Sequence, residues 1–269
     1  MENIYLVNCF CTSQEGSGNP ASVVTNFSGA DSDRLALAKK LGTPITVFLS
    51  DATISAPILK FFYPDTQMPL CLHGALAAAK IIFAKQNKQQ LTLLTDAGKK
   101  LNVNRSEQGY LQIQVSNQEF ARDKIKKEIV CEMLNLTNVN SIDENLPFCI
   151  SSVGSPKLLV PLNSLKLLAE LQPNDEVIKK WSIENEVNGL YVYTSLTNSS
   201  VFHARGFNPK TGHREDAATG VAAAALSLAL KKTIKIEQGY FIKRPCTISV
   251  TYINPNNIWV GGKVSTIRR

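Results

Sequence analysis

Cys71-Leu72-His73-Gly74-Ala75-Leu76-Ala77-Ala78-Ala79 and Asp216-Ala217-Ala218-Thr219-Gly220-Val221-Ala222-Ala223-Ala224-Ala225 are the two stretches that decide how this chain reads. Each passes from polar or small residues into a run of alanines with no charged face. A helix that is small and apolar on every side is a buried helix. The spacing predicts one central helix over about 74–85 and a second over about 218–231. The approach to each is alike. Phe61-Phe62-Tyr63-Pro64 ends a strand-like run before the first, and Phe207-Asn208-Pro209 does so before the second.

Short segments rich in β-branched and aromatic residues surround both helices. Around the first they fall at 4–10, 21–25, 46–49, 54–63, 91–94, 100–104 and 110–115. Around the second they fall at 148–153, 157–161, 189–193, 201–207, 240–243, 247–252 and 259–264. Further helices are expected from Asp31 or Ser32 to Leu41, over 124–134 and over 165–171. The expectation is an α+β fold made by internal duplication. It has two pseudo-symmetric halves, each a curved, barrel-like β-sheet around one central helix. The polar stretch 116–123 is the natural divide, giving halves 1–117 and 118–269, with the last strand able to return to the first half.

Helix starts are the chemical feature of such a plan. The first N–H groups of a helix lack partners and carry partial positive charge, so they bind carboxylate or phosphate without a cationic side chain. Gly74, Ala75, Thr219 and Gly220 are small enough for a ligand to come close to that backbone. His73 stands just before the first helix and can exchange a proton near neutral pH. Glu215 and Asp216 stand just before the second. His203 and His213 have no partner pattern and read as structural or surface residues. No zinc-protease, nucleophile-elbow or P-loop pattern is present, and no Gly-rich dinucleotide fingerprint.

Four runs in order resemble the phenazine-biosynthesis PhzF-like family, which is related to diaminopimelate epimerase. They are Gly18-Asn19-Pro20-Ala21-Ser22, Cys71-Leu72-His73-Gly74-Ala75, Glu215-Asp216-Ala217-Ala218-Thr219-Gly220-Val221-Ala222 and Gln238-Gly239 through Arg244-Pro245. The resemblance implies a diaminopimelate-epimerase-like fold with a cleft between the halves. It implies no metal or organic cofactor, and a homodimer. It also implies an isomerase that moves a proton on a small anionic carboxylate. His73 and Asp216 match the family's active-site positions, and Asn19 with the two helix starts would bind substrate. Three positions depart. Ile45 stands where the family has its acid/base glutamate, Leu72 where it has a glycine before the histidine, and Val221 where it has a serine. An isoleucine cannot move a proton. Asp51 and Asp65 are acids that could stand in. The alternative is a metabolite-binding protein that keeps the fold without turnover.

Composition narrows the remaining classes. The chain has 269 residues, 44% hydrophobic and 19% charged, which excludes wholesale disorder. The net charge is +7, but the clusters of lysine are short and mixed with acids, so solvated faces rather than a nucleic-acid partner are expected. The six cysteines form no CxxC pair, which points to thiols in a reducing compartment. Cys9 and Cys11, two apart, would share one face of a strand. No signal-peptide pattern opens the sequence, and no apolar run reaches the ~18 residues of a spanning helix. A cytoplasmic protein with no membrane partner is the expectation.

Overall fold

The structure, a computed structural model, describes residues 2–50, 56–120, 125–195 and 199–267, with the side chain of His213 left aside. Two compact units emerge: Met1–Gln114 with Gly261–Arg269, and Val115–Val260.

In chain order the first unit holds β1 (Asn3–Cys11), β2 (Asn19–Thr25), α1 (Asp31–Leu41), β3 (Thr46–Leu49), β4 (Ile58–Phe62), β5 (Gln67–Met68), α2 (Leu72–Lys85), β6 (Gln90–Thr95), β7 (Lys100–Arg105) and the start of β8 (Leu111–Val115). The second unit holds α3 (Lys127–Leu134), β9 (Cys149–Ser151), β10 (Lys157–Pro161), α4 (Leu165–Glu170), α5 (Asp175–Glu184), β11 (Leu190–Ser195), β12 (Val201–Asn208), β13 (His213–Asp216), α6 (Gly220–Leu230), β14 (Ile234–Gln238), β15 (Cys246–Asn254) and the start of β16 (Asn257–Ile267). From Gly261 onward β16 belongs to the first unit.

The duplication is written in the pairing senses. In the first unit β1–β2 is antiparallel, β2–β3 parallel, β3–β4 antiparallel, β4–β6 parallel, and β6–β7 antiparallel. In the second, β9–β10 is antiparallel, β10–β11 parallel, β11–β12 antiparallel, β12–β14 parallel, and β14–β15 antiparallel. Even the short side strand recurs, β5 on β4 and β13 on β12, just before each central helix. In the first unit the sheet closes on itself, because β16 lies between β8 and β1.

Each sheet curves around its alanine-rich helix. Eleven residues of α2 are buried, and α2 packs on β1, β2, β3 and β4. The α6 helix packs on β9, β10 and β15, and Ala222 to Ala225 have no exposed surface. Small side chains let the walls close on the helix axis at interior packing density. The outer faces of the sheets are covered separately. Val24, Phe48 and Phe62 meet Ala38 of α1 in the first unit. Leu158, Val160, Leu190, Val192 and Phe207 meet Val130, Leu168, Ile178 and Trp181 in the second. Strands buried on both faces lose the alternating pattern, which is why β10 is buried at every position.

Several expectations need correction. The turn at 240–243 is not a strand. It is a 3-10 turn, Tyr240–Ile242, flanked by Gly239 and Lys243 in the left-handed region, at φ 82° and 57°. The strand beside it is β14. Helix α5 is an addition to the expected set: it buries Ile178, Trp181 and Ser182 on one side with charges on the other, and Asn174 caps it by accepting the Val177 N–H at 3.3 Å. Helix α1 is capped neither by Asp31 nor by Ser32. Ala30 precedes it, and the Asp33 carboxylate accepts the Ala30 N–H at 2.8 Å. Cys9 and Cys11 are separated by a bulge at Phe10, whose φ is 61°, so strand alternation fails between them. The expected strand residues 54–55 and the helix start at Lys124 lie outside the described residues.

Among the described residues no helix is long and apolar enough to cross a membrane, and no cysteine forms a disulfide.

Candidate active site

The first unit presents the start of α2. The helix begins at Leu72, two residues before the expected 74, with Cys71 as N-cap. That moves the exposed amides. The Ala75 N–H already donates to the Cys71 carbonyl at 2.9 Å, so the first-turn groups without a partner inside the helix belong to Leu72, His73 and Gly74. His73 is buried, and its Nδ1 lies 3.2 Å from the Cys71 Sγ. Its carbonyl accepts from the Cys9 thiol at 3.2 Å. Asn19, also buried, sits opposite Cys9 in the β1–β2 register, so Cys9 links Asn19 to the helix start.

Gly74 has a packing reason as well. A Cβ there would stand 2.8 Å from Val47 Cγ2, 3.2 Å from Phe61 Cδ1 and 3.3 Å from Ile45 Cγ1. The glycine lets α2 lie against the β3–β4 wall. Ile45 and Gly74 are therefore neighbours. Ile45 has no exposed surface, and its bulk occupies the space that a larger residue at 74 would need. Leu72 is buried too. Asp65 is exposed and pairs with Lys39 at 3.4 Å, while Asp51 lies outside the described residues.

The second unit presents the start of α6 and a polar network under it. Thr219 is the N-cap, yet its hydroxyl does not cap the helix. It donates to Asp216 Oδ2 at 2.9 Å. The Thr219 N–H donates to Gln238 Oε1 at 3.1 Å, so this amide is engaged by the protein, and the amides of Gly220 and Val221 are the first two of the helix. Gln238 Nε2 donates to the Asp216 carbonyl at 2.8 Å and to Thr219 Oγ1 at 3.1 Å. Tyr191 donates its hydroxyl to Gln238 Oε1 at 3.0 Å. Gly206, opposite Asp216 in the β12–β13 register, makes room, since a Cβ there would lie 2.6 Å from Thr219 Oγ1. Val221 is half-buried.

Two buried groups feel the charge of Asp216. Burial lowers Lys157 from 10.5 to about 8, Asp216 pulls it back up, and Lys210 pushes it down. Its ammonium donates to the Asn188 carbonyl. Burial, with the Asp216 charge adding to it, pushes the Tyr191 phenol well above its ordinary value. Tyr191 therefore stays a donor at any working pH.

Glu215 serves the scaffold. Its two carboxylate oxygens accept from Nε and Nη2 of buried Arg205, at 3.0 and 2.7 Å. Arg205 also donates to the Leu168 and Leu171 carbonyls and stacks on Phe207 and Phe241. His203 lies 3.6 Å from Glu237 on the outer side of the same unit. Sequence reasoning passed over Tyr191, Lys157, Arg205 and Gly206. Gln238 stood inside a quoted motif, and a polar residue in register with the buried Ile234 and Ile236 of an alternating strand was the available signal. Among the described residues no cluster of His, Cys, Asp and Glu could hold a metal ion.

A sequence profile described as phenazine biosynthesis-like protein (PhzC-PhzF) matches residues 7–267. The chain belongs to the PhzF-like family. One relative, named an uncharacterized isomerase, from Clostridium acetobutylicum, is 32% identical over 85% of this chain and 78% of its own length. A solved structure described as a predicted epimerase from Pseudomonas aeruginosa superposes with a TM-score of 0.82 at 22% identity, over 100% of this chain and 98% of its own. A PhzF-family protein from Bacillus anthracis gives 0.81 at 22%, over the whole of both chains. At these identities the two structures establish the fold, a member of the epimerase-like class. The isomerase name recurs among PhzF-like relatives from Bacillus subtilis and Pasteurella multocida.

Proposed function

We propose that this protein is an isomerase that removes and returns a proton on a small carboxylate substrate, without a cofactor, with Asp216 and His73 as its acid/base groups. The observation that carries the reading is the carboxylate of Asp216. It is fixed by Thr219 at the start of a largely buried helix, where a helix dipole favours an anion beside it. His73 supplies a second titratable group, at the start of the other central helix, with a thiol 3.2 Å from its ring nitrogen. The first-turn amides of Leu72, His73 and Gly74 and those of Gly220 and Val221 are the groups suited to a carboxylate. Asn19 is assigned to binding through its place beside Cys9. The isomerase names of the relatives support the reaction class.

The test is wash-in of solvent deuterium. The protein would be incubated in D2O with the common L-amino acids and their 2-hydroxy-acid analogues, and Cα–H loss followed by proton NMR. Asp216→Asn is expected to reduce exchange by at least about 100-fold, the scale of a general acid/base. His73→Gln is expected to reduce it as well. Unchanged exchange in both variants would remove the assigned roles.

A second reading is favoured by one observation. The position that the resemblance matches to the family glutamate is Ile45, which is fully buried beside Gly74. A protein that binds a small carboxylate without turning it over fits that. Thermal stabilisation by a carboxylate that gains no deuterium would select it.

A further inference from the structure

A cavity of about 460 Å3 opens within the second unit. Strand alternation puts it on the face of β14 that turns away from Asp216. Gln238 bonds the Asp216 carbonyl and Thr219 on one face, and Glu237, one residue earlier, lines the cavity on the other. Glu237 stands opposite His203 in the β12–β14 register, and both line the cavity. Leu165, Lys166 and Ala169 of α4 line it from the helix, and Tyr240 and Phe241 from the 3-10 turn.

These walls are held in place by the protein itself. Arg205 Nη1 donates to the Leu168 and Leu171 carbonyls at 3.1 and 3.2 Å, and the same guanidinium stacks on Phe241 at 5.2 Å. One buried cation thus ties α4 to the turn, and Glu215 fixes that cation. Gly239 sets the start of the turn against the Arg244 and Ala217 carbonyls, where a Cβ has no room. Yet the walls leave apolar surface in water: Leu165, Tyr240 and Phe241 are 37, 41 and 39% exposed. A preformed apolar cavity with a few polar groups in it is the common form of a small-molecule site.

The polar groups decide what such a molecule carries. The Glu237 carboxylate meets His203 Nδ1 and Lys235 Nζ, each at 3.6 Å, which is longer than a hydrogen bond. Lys235 therefore compensates its charge, while among the described residues neither neighbour gives it a short donor. A neutral N–H or O–H suits that carboxylate better than a second cation would. The rings of Tyr240 and Phe241 favour an aromatic body. We infer that this cavity binds a small planar aromatic molecule with a neutral hydrogen-bond donor, of the indole or phenol class, with Glu237 as the acceptor and α4 and the rings of Tyr240 and Phe241 as the walls. The site does not depend on the roles assigned to Asp216 and His73.

Indole is the probe, and benzofuran is its control, with the same shape and an ether oxygen in place of the N–H. Binding to the full chain is measured by isothermal titration and by saturation-transfer NMR, after circular dichroism confirms the fold of each variant. Wild type is expected to bind indole with a Kd of roughly 1 mM or tighter. Benzofuran is expected to bind at least about fivefold more weakly. Glu237→Met is expected to erase that preference. Ala169→Trp, at an exposed position of α4, fills the cavity and is expected to abolish binding of both probes. Asp216→Asn is expected to bind indole as wild type does, which separates this cavity from the start of α6. If wild type binds no indole up to its solubility limit, the inference is overturned. It is overturned too if binding survives Ala169→Trp or disappears in Asp216→Asn, because the probe then sits elsewhere. Equal affinity for the two probes in wild type would remove the donor and Glu237 from the reading. If light scattering shows a wild-type dimer that Ala169→Trp turns into a monomer, a second copy covers this face and the small-molecule site falls.

Discussion

Lys157 offers a direct measure of the interior of the second unit. Its side chain is buried, and its ammonium is held by the Asn188 carbonyl, with Asp216 as an attracting charge and Lys210 as a repelling one. Burial brings its pKa from 10.5 to about 8. The folded protein thus gives up this proton more readily than the unfolded chain does. Below about pH 8 both states are charged, and the folded state bears the whole cost of the buried ammonium. Between about 8 and 10.5 the unfolded chain binds more protons, so the stability contribution of Lys157 rises with pH. At about 1.36 kcal/mol per pH unit the full gain is about 3 kcal/mol. The perturbation is Lys157→Met, which keeps the stem and removes the charge. The lost hydrogen bond to Asn188 adds an offset that does not vary with pH. Urea unfolding of both proteins would be recorded at intervals from pH 7 to 10.5, and the difference taken so that other titrating groups cancel. Wild type is expected to gain about 3 kcal/mol on the variant across that interval, most of it above pH 8. A difference that stays flat, or that falls as pH rises, would refute the burial and charge environment assigned to Lys157.

Gly74→Ala is expected to cost about 1–3 kcal/mol in chemical denaturation, because the new methyl meets Val47, Phe61 and Ile45. Val47→Ala in the same chain should recover part of that loss. Arg205→Ala leaves the buried Glu215 carboxylate without its partner and should cost about 3–5 kcal/mol. Arg205→Leu with Glu215→Leu should cost clearly less, which urea midpoints of the two variants would show. Gly206→Ala pushes on Thr219 Oγ1 and is expected to lower deuterium wash-in by at least about tenfold while the protein still folds.

Much of the fold could be read from the sequence because small-residue helices announce their own burial. The alanine runs 77–79 of α2 and 222–225 of α6 are buried, and the strand segments around them carry β-branched and aromatic residues. What stayed hidden depended on partners far along the chain. A glycine shows that something comes close but not what: at Gly74 the sheet wall does so, through Ile45, Val47 and Phe61. A helix start two residues early reassigned the amides at Ala75, and a side chain from β14 claimed the one at Thr219. Asp216 and Thr219 could be picked out by their place before a helix. Tyr191 and Lys157 could not, since a tyrosine or lysine in a strand reads as ordinary until the opposite strands bring Asp216 to it.

The last strand has a consequence for how the protein is made. The N-terminal barrel closes only when residues 261–267 fill the gap between β1 and β8, and Cys9 finds its register partner at Val264. Until β16 is made, the emerged first unit is a sheet with two raw edges, at β1 and β8. Raw edges recruit other strands, including those of neighbouring nascent chains. The whole second unit must be synthesised before the first can seal. Folding in the cell is therefore exposed to aggregation for most of translation, and trimming a few residues from β16 would unseat the opposite end of the sequence.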